Sequence, residues 1–167
     1  MYKSLALLTI CFTLTFPALA ERKVGPISDE VREQFALDGY YTKLLNADGL
    51  LLLSSDKVPD EAFYEAAYLI DQVLMGRDDL RKAIAKLEIR LVIMNQDEFT
   101  TDVPEHAWLA NHEKGKDWWD RRARGLGATG YRTAMSVGVE NLLQYNGDPY
   151  HDESILIHEF AHVVDDV

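Results

Sequence analysis

Ser154–Asp166 reads SILIHEFAHVVDD, and this stretch decides how the rest of the chain is read. Place it on a helix at about 100° per residue with His158 at zero. His162 then falls at about 40°, Asp166 at about 80°, Glu159 at about 100° and Asp165 at about 340°. Leu156, Phe160, Val164, Ile157 and Ala161 fall between about 160° and 300°. The phasing predicts an amphipathic helix with its polar groups converging on one side and an apolar side for a core. Ile155 is the one apolar residue on the polar arc.

Side chains at i and i+4 stack one above the other. Two imidazoles so placed can hold one Zn²⁺ at about 2.0–2.1 Å each. Glu159 is turned aside from ligation and is placed to act as general base toward a zinc-activated water. In this H-E-x-x-H pattern, His158 and His162 are the candidate metal ligands and Glu159 the candidate catalytic residue. The plain alternative is a solvated helix face that happens to carry two histidines. Asp165, one turn beyond His162, is either a hydrogen-bond partner for the far nitrogen of a ligating histidine or simply solvated.

SILIHEFAHVVDD resembles the active-site helix of gluzincin metallopeptidases, in particular the anthrax lethal factor-like family, with its H-E-F-x-H followed by an aspartate three residues later. The longer run from RGLGATG (124–130) through ENLLQYNGDPYHDESILIHEFAH (140–162) is also similar to a set of secreted bacterial proteins. The resemblance covers about residues 40–167. It implies an α+β, zincin-like fold: a small twisted sheet packed on helices, with the active-site helix at the C-terminal end. It also implies an edge strand that holds an extended peptide or protein substrate, supplied here by TAMSVGVENLL (133–143). A downstream glutamate would be the third zinc ligand, and it has no counterpart here. The expectation is therefore a zincin-like domain over 40–167 that is incomplete at its C-terminus, a truncated form of a longer protein. No Gly or Asn stops the helix, and Asp165 and Asp166 sit where the macrodipole is already negative. Such a chain alone is expected to bind zinc weakly and turn over little. A non-catalytic secreted binding domain of the same fold is the alternative.

Other side chains weigh less. His151 lies two turns before His158, roughly 10 Å along a helix axis, too far to share a metal without a bend. His106 and His112 lie in a polar middle segment, where lone histidines are mostly structural or exposed. Tyr131, Tyr145 and Tyr150 are candidates to stabilise an oxyanion, though loop tyrosines more often pack.

Upstream, Asp148-Pro149 has the cap and first-turn chemistry to start the last helix. TAMSVGVENLL reads as a strand with a break near Gly138. GLGATG (125–130) lacks the flanking strand and long helix of a phosphate cradle and reads as a loop. A helix is expected around Lys116–Ala123. Ile89–Asn95 is the clearest strand, and its place after two helices predicts a crossover to the same sheet. Those helices are one opened by Pro59, with Phe63, Ala66, Ala67, Ile70 and Leu74 inward and Gly76 as its stop, and one from Asp78 or Asp79 to about Leu87. YYTKLLNADGLLLLSS (40–55) predicts strands Tyr40–Leu45 and Leu50–Leu53 around a turn at Asn46–Gly49. The continuous leucine run predicts burial on both faces. Residues 21–39 read as a lead-in followed by a short helix capped by Ser28.

The first twenty residues read as a secretory signal peptide: Lys3, an apolar run Leu5–Phe16, and Ala18-Leu19-Ala20 as the cleavage site. This predicts secretion to the periplasm or the medium. The only cysteine, Cys11, lies in that run, so the mature chain would carry no thiol, disulfide or cysteine nucleophile. The net charge is −11, or −12 once Lys3 is removed. That balance opposes nucleic acid and anionic membrane as partners.

Overall fold

The computed structural model describes residues 22–129 and 131–167. The signal-peptide reading and Cys11 lie outside the described residues. The architecture is α+β. A six-stranded mixed sheet is packed on helices.

The sheet begins with the short strand β1 (Gly25–Pro26), the helix α1 (Asp29–Gln34), and a hairpin of β2 (Lys43–Ala47) and β3 (Leu50–Ser54). Ser28 caps α1 as expected, its Oγ accepting from the Val31 N–H at 3.3 Å. The hairpin differs from expectation. Asn46 and Ala47 belong to β2, and Ala47 pairs with Leu50, so the loop is only Asp48-Gly49. Both loop residues have positive φ, 53° and 98°. A two-residue loop of that kind matches the right-handed twist of its strands. Asn46 Oδ1 accepts from the Gly49 N–H at 2.7 Å and closes the loop. Tyr40 and Tyr41 precede the strand, and the Tyr41 hydroxyl donates to Glu105 instead.

β3 is buried along its whole length, as its leucine run requires of a central strand. The chain then crosses over through α2 (Asp60–Val73) and α3 (Asp78–Lys86) to β4 (Arg90–Met94), which lies parallel to β3. α2 buries Ala62, Phe63, Ala66, Ala67 and Ile70, a stripe at helical spacing. Two 3-10 segments, Thr100–Asp102 and Pro104–Asn111, and the helix α4 (Lys116–Arg122) follow. β5 (Gly125–Leu126) and β6 (Ala134–Gly138) complete the sheet, and α5 (Val139–Leu142) and α6 (Ile155–Asp165) close the chain.

The order of the last two strands corrects an expectation. β6, the core of TAMSVGVENLL, is not an edge. It lies between β4, to which it is parallel, and β5, to which it is antiparallel. Its five residues are all buried, which suits a strand paired on both sides. The edge is β5, read from the sequence as loop.

Alternation along the strands sorts side chains into two layers. Leu50, Leu52, Leu91, Ile93, Met135 and Val137 pack with Phe63, Ile70, Leu156 and Phe160 of α2 and α6. Leu51, Leu53, Val92, Met94 and Ala134 face the other way, onto Leu37, Tyr41 and Val103. Among the described residues, no helix is long and apolar enough to cross a membrane.

A buried ion pair ties this frame at one corner. The guanidinium of Arg124 donates to both carboxylate oxygens of Glu140, and also to the carbonyls of Glu98 and Asn95. It thus links the end of β4, the entry to β5 and helix α5. Losing one partner strands a buried charge, which typically costs about 3–5 kcal/mol. Glu140→Ala is expected to destabilise the fold by about that amount in urea denaturation; a change under about 0.5 kcal/mol would mean the pair is not a structural tie.

Candidate metal centre

The last helix starts later than Asp148-Pro149. Ser154 is its cap, with Oγ accepting from the Ile157 N–H at 3.4 Å. Asn141 Oδ1 accepts from the Ile155 N–H at 2.8 Å, satisfying another open donor of the first turn. Asp148 does cap, but it caps a turn: Oδ1 accepts from the Tyr150 N–H at 2.9 Å.

The buried face of α6 is also turned from the expected one. Ile155, Leu156, Phe160 and Val163 are buried, while Ile157 is 42 % exposed and Ala161 lies in solvent. The reason is β5. A Cβ built on Gly125 would stand 2.2 Å from Ile155 Cγ2, and one on Gly127 would stand 3.1 Å from Glu159 Oε2. The edge strand therefore lies directly against the Ile155–Glu159 side of the helix. That side, on the polar arc by phase alone, becomes part of the interior. Glycine is needed at Gly125, where a side chain would push strand and helix apart; at Gly127 the Glu159 carboxylate would have to give way slightly.

This rotation separates the functional groups. His158 and His162 are exposed, and Glu159 is half-buried. Burial raises the Glu159 carboxyl pKa above its ordinary value; the two histidines and the Gly127 N–H act the other way, favouring the carboxylate. Donor atoms of His158, Glu159 and His162 all lie within 4.8 Å of one another. The two rings sit edge to face with centroids 5.3 Å apart. A cleft of about 170 Å³ opens beside His158 and Glu159, bounded also by Tyr150, Arg122, Gly125 and Glu153. His158 and His162 are the residues that could hold a metal ion here, imidazole nitrogens being suitable donors for zinc.

The other sequence candidates separate clearly. His106 is buried under the opposite face of the sheet, with Nε2 3.1 Å from Ser136 Oγ. Burial pushes its pKa down to about 4, so it is a neutral packing residue. His112 is wedged between Trp108 and Trp119, with centroids 5.9 and 5.6 Å away. His151 is exposed, 3.4 Å from Asp152. Tyr131 is exposed to solvent and Tyr145 lines a separate cavity. Tyr150 does reach the cleft, where its hydroxyl donates to the Arg122 carbonyl. Asp165 is exposed, and among the described residues it makes no hydrogen bond to either histidine. The sequence reading missed Gly125, Gly127 and Glu153. Alternate glycines just before a strand were the available signal for the first two.

No family model matches the chain, and neither a curated protein nor a solved structure matches it.

Two outcomes test this geometry. Gly125→Ala should cost about 1–3 kcal/mol by overpacking. That cost should shrink in an Ile155→Ala background, because the two share one contact; strict additivity in urea denaturation would place β5 elsewhere. The raised pKa of Glu159 means that the folded protein holds this proton to higher pH than the unfolded chain does. Its stabilising contribution is present at acidic pH and falls as pH rises through the carboxylate range. Glu159→Gln should therefore stabilise the metal-free protein at neutral pH, with the difference closing as pH is lowered. An equal difference at all pH values would contradict the burial of this carboxyl.

Proposed function

We propose that this chain is a secreted zinc-dependent peptidase of the zincin type, acting on an extended peptide or protein substrate. The observation that carries the reading is the cluster of His158, Glu159 and His162, with donor atoms within 4.8 Å at the mouth of a cleft. Support also comes from an antiparallel edge strand running past the motif helix.

His158 and His162 would hold the zinc, and a bound zinc would supply Lewis acidity toward a peptide carbonyl and a water. Glu159 receives a proton from the attacking water and returns it to the leaving amine. Its half-burial suits that role, since a carboxylate with a raised pKa is a stronger base. β5 pairs with β6 through one edge only among the described strands. The free edge offers backbone groups to an extended substrate segment. The acidic surface opposes nucleic acid and anionic membrane as partners. Residues 1–20 would direct the chain out of the cytoplasm.

One observation favours a second reading, a secreted binding domain that keeps the metal without catalysis. Among the described residues, no further His, Asp or Glu joins the three-residue cluster, whereas catalytic zinc sites use three protein ligands.

Metal analysis of the purified protein with zinc added at neutral pH should find about one zinc per chain. His158→Ala and His162→Ala should each weaken zinc binding strongly, while Glu159→Ala should leave affinity within about tenfold. A peptide library should be cleaved with zinc present, spared on chelation, and spared by Glu159→Gln. Zinc binding without cleavage would favour the second reading, and no zinc binding at neutral pH would sink both.

A further inference from the structure

A ligating histidine almost always gives its second ring N–H to a carboxylate, a carbonyl or water, and that bond sets the ring's tautomer and orientation. Asp165 is the partner suggested by sequence, yet it makes no such contact. Glu153 stands in the suggested place. Its Oε2 lies 3.9 Å from His158 Nδ1. Glu153 lies just before the Ser154 cap, and His158 lies in the first turn of α6. Among the described residues, Glu153 has no lysine or arginine within ion-pair distance, so His158 is the one basic side chain at that range.

The backbone under Glu153 is held in place. Asn141, buried on α5, has its Nδ2 within 2.9 Å of the Glu153 carbonyl, 2.8 Å of Asp148 Oδ2 and 3.2 Å of the Tyr150 carbonyl. Its Oδ1 accepts from the Ile155 N–H. The Glu153 N–H donates to the Tyr150 carbonyl at 3.1 Å. One buried amide therefore fixes both the residue before the cap and the first residue of α6. The Glu153 side chain is about half exposed, which leaves room for it to turn, while these hydrogen bonds tie its backbone to the start of α6. The present gap is longer than a hydrogen bond by about 1 Å, within reach of such a rotation. Glu153 is not grouped with the donor atoms of His158, Glu159 and His162. It stands beside His158 and outside that cluster.

We propose that Glu153 is the positioning residue of His158: its carboxylate accepts from Nδ1–H, and this turns Nε2 toward the metal. The proposal rests on the zinc reading above and assigns one ring nitrogen of His158 to each neighbour. The carboxylate holds the ring at the orientation that a bound ion requires, and it makes Nε2 a better donor.

The test uses the full chain and two variants, Glu153→Ala and Glu153→Gln. In the metal-free protein, ¹⁵N NMR at a pH well above the histidine range should show His158 mainly as the Nδ1–H tautomer. Glu153→Ala should shift it toward Nε2–H, and calorimetry should show zinc affinity falling about 10- to 100-fold. Glu153→Gln keeps an acceptor and should retain most of the affinity and the wild-type tautomer. Unchanged tautomer and affinity in Glu153→Ala would overturn the proposal. So would equal losses in both variants. A wild type that binds no zinc would refute the zinc reading, while the tautomer would still report whether Glu153 holds His158.

Discussion

The close approach of an edge strand to a helix governs this molecule. β5 is only two residues long, but it lies against α6 with no room for a side chain at Gly125 and little at Gly127. Because Ile155 is pressed beneath the strand, α6 rotates its Ile155–Glu159 side into the protein. Glu159 is thereby drawn from solvent while His158 and His162, on the next part of the arc, stay exposed. The separation of a half-buried carboxyl from two accessible imidazoles follows from one packing contact.

That contact is held from both ends. Arg124, one residue before β5, is anchored by Glu140 and by the carbonyls of Asn95 and Glu98. At the other end, Asn141 fixes the start of α6. Arg124's partner Glu140 and Asn141 are neighbours on α5, the four-residue helix that follows β6. A short helix of poor intrinsic stability thus sets both the height of the edge strand and the entry angle of the motif helix. Its stability comes from these buried hydrogen bonds and from Val139 and Leu142 in the main core. Side-chain networks of this kind are worth keeping only when fully satisfied, and here each buried partner has one.

Much of this was legible in the sequence. α2 and α6 announced themselves by helical phase, β3 by its unbroken leucines, and the parallel crossover to β4 by two helices placed between strands. The motif residues His158, Glu159 and His162 were read from spacing, and the structure brings them together. What escaped the sequence depended on tertiary contacts. The hairpin register turned on Asp48 accepting a positive φ, a choice that the longer Asn46–Gly49 turn concealed. Asp148-Pro149 has the chemistry of a helix start, but its carboxylate is used by a turn and by Asn141. Gly125-Leu126 carries no strand propensity; it is a strand because β6 offers a free edge and glycine lets the helix through. The buried face of α6 could not be read from its own periodicity, since the element that covers Ile155 lies thirty residues upstream. Glu153 was passed over because its relation to His158 depends on how the chain enters the helix.

The central claim is that the exposed imidazoles of His158 and His162 share one zinc ion, with Glu159 beside it and unbonded to it. Anomalous diffraction at the zinc edge, from crystals grown with zinc, tests this most directly. The account predicts one strong peak within about 2.0–2.1 Å of a ring nitrogen of each histidine, with the Glu159 carboxylate outside bonding distance. A peak held elsewhere, for example by His151 and Asp152, or one ligated by Glu159 itself, would contradict it.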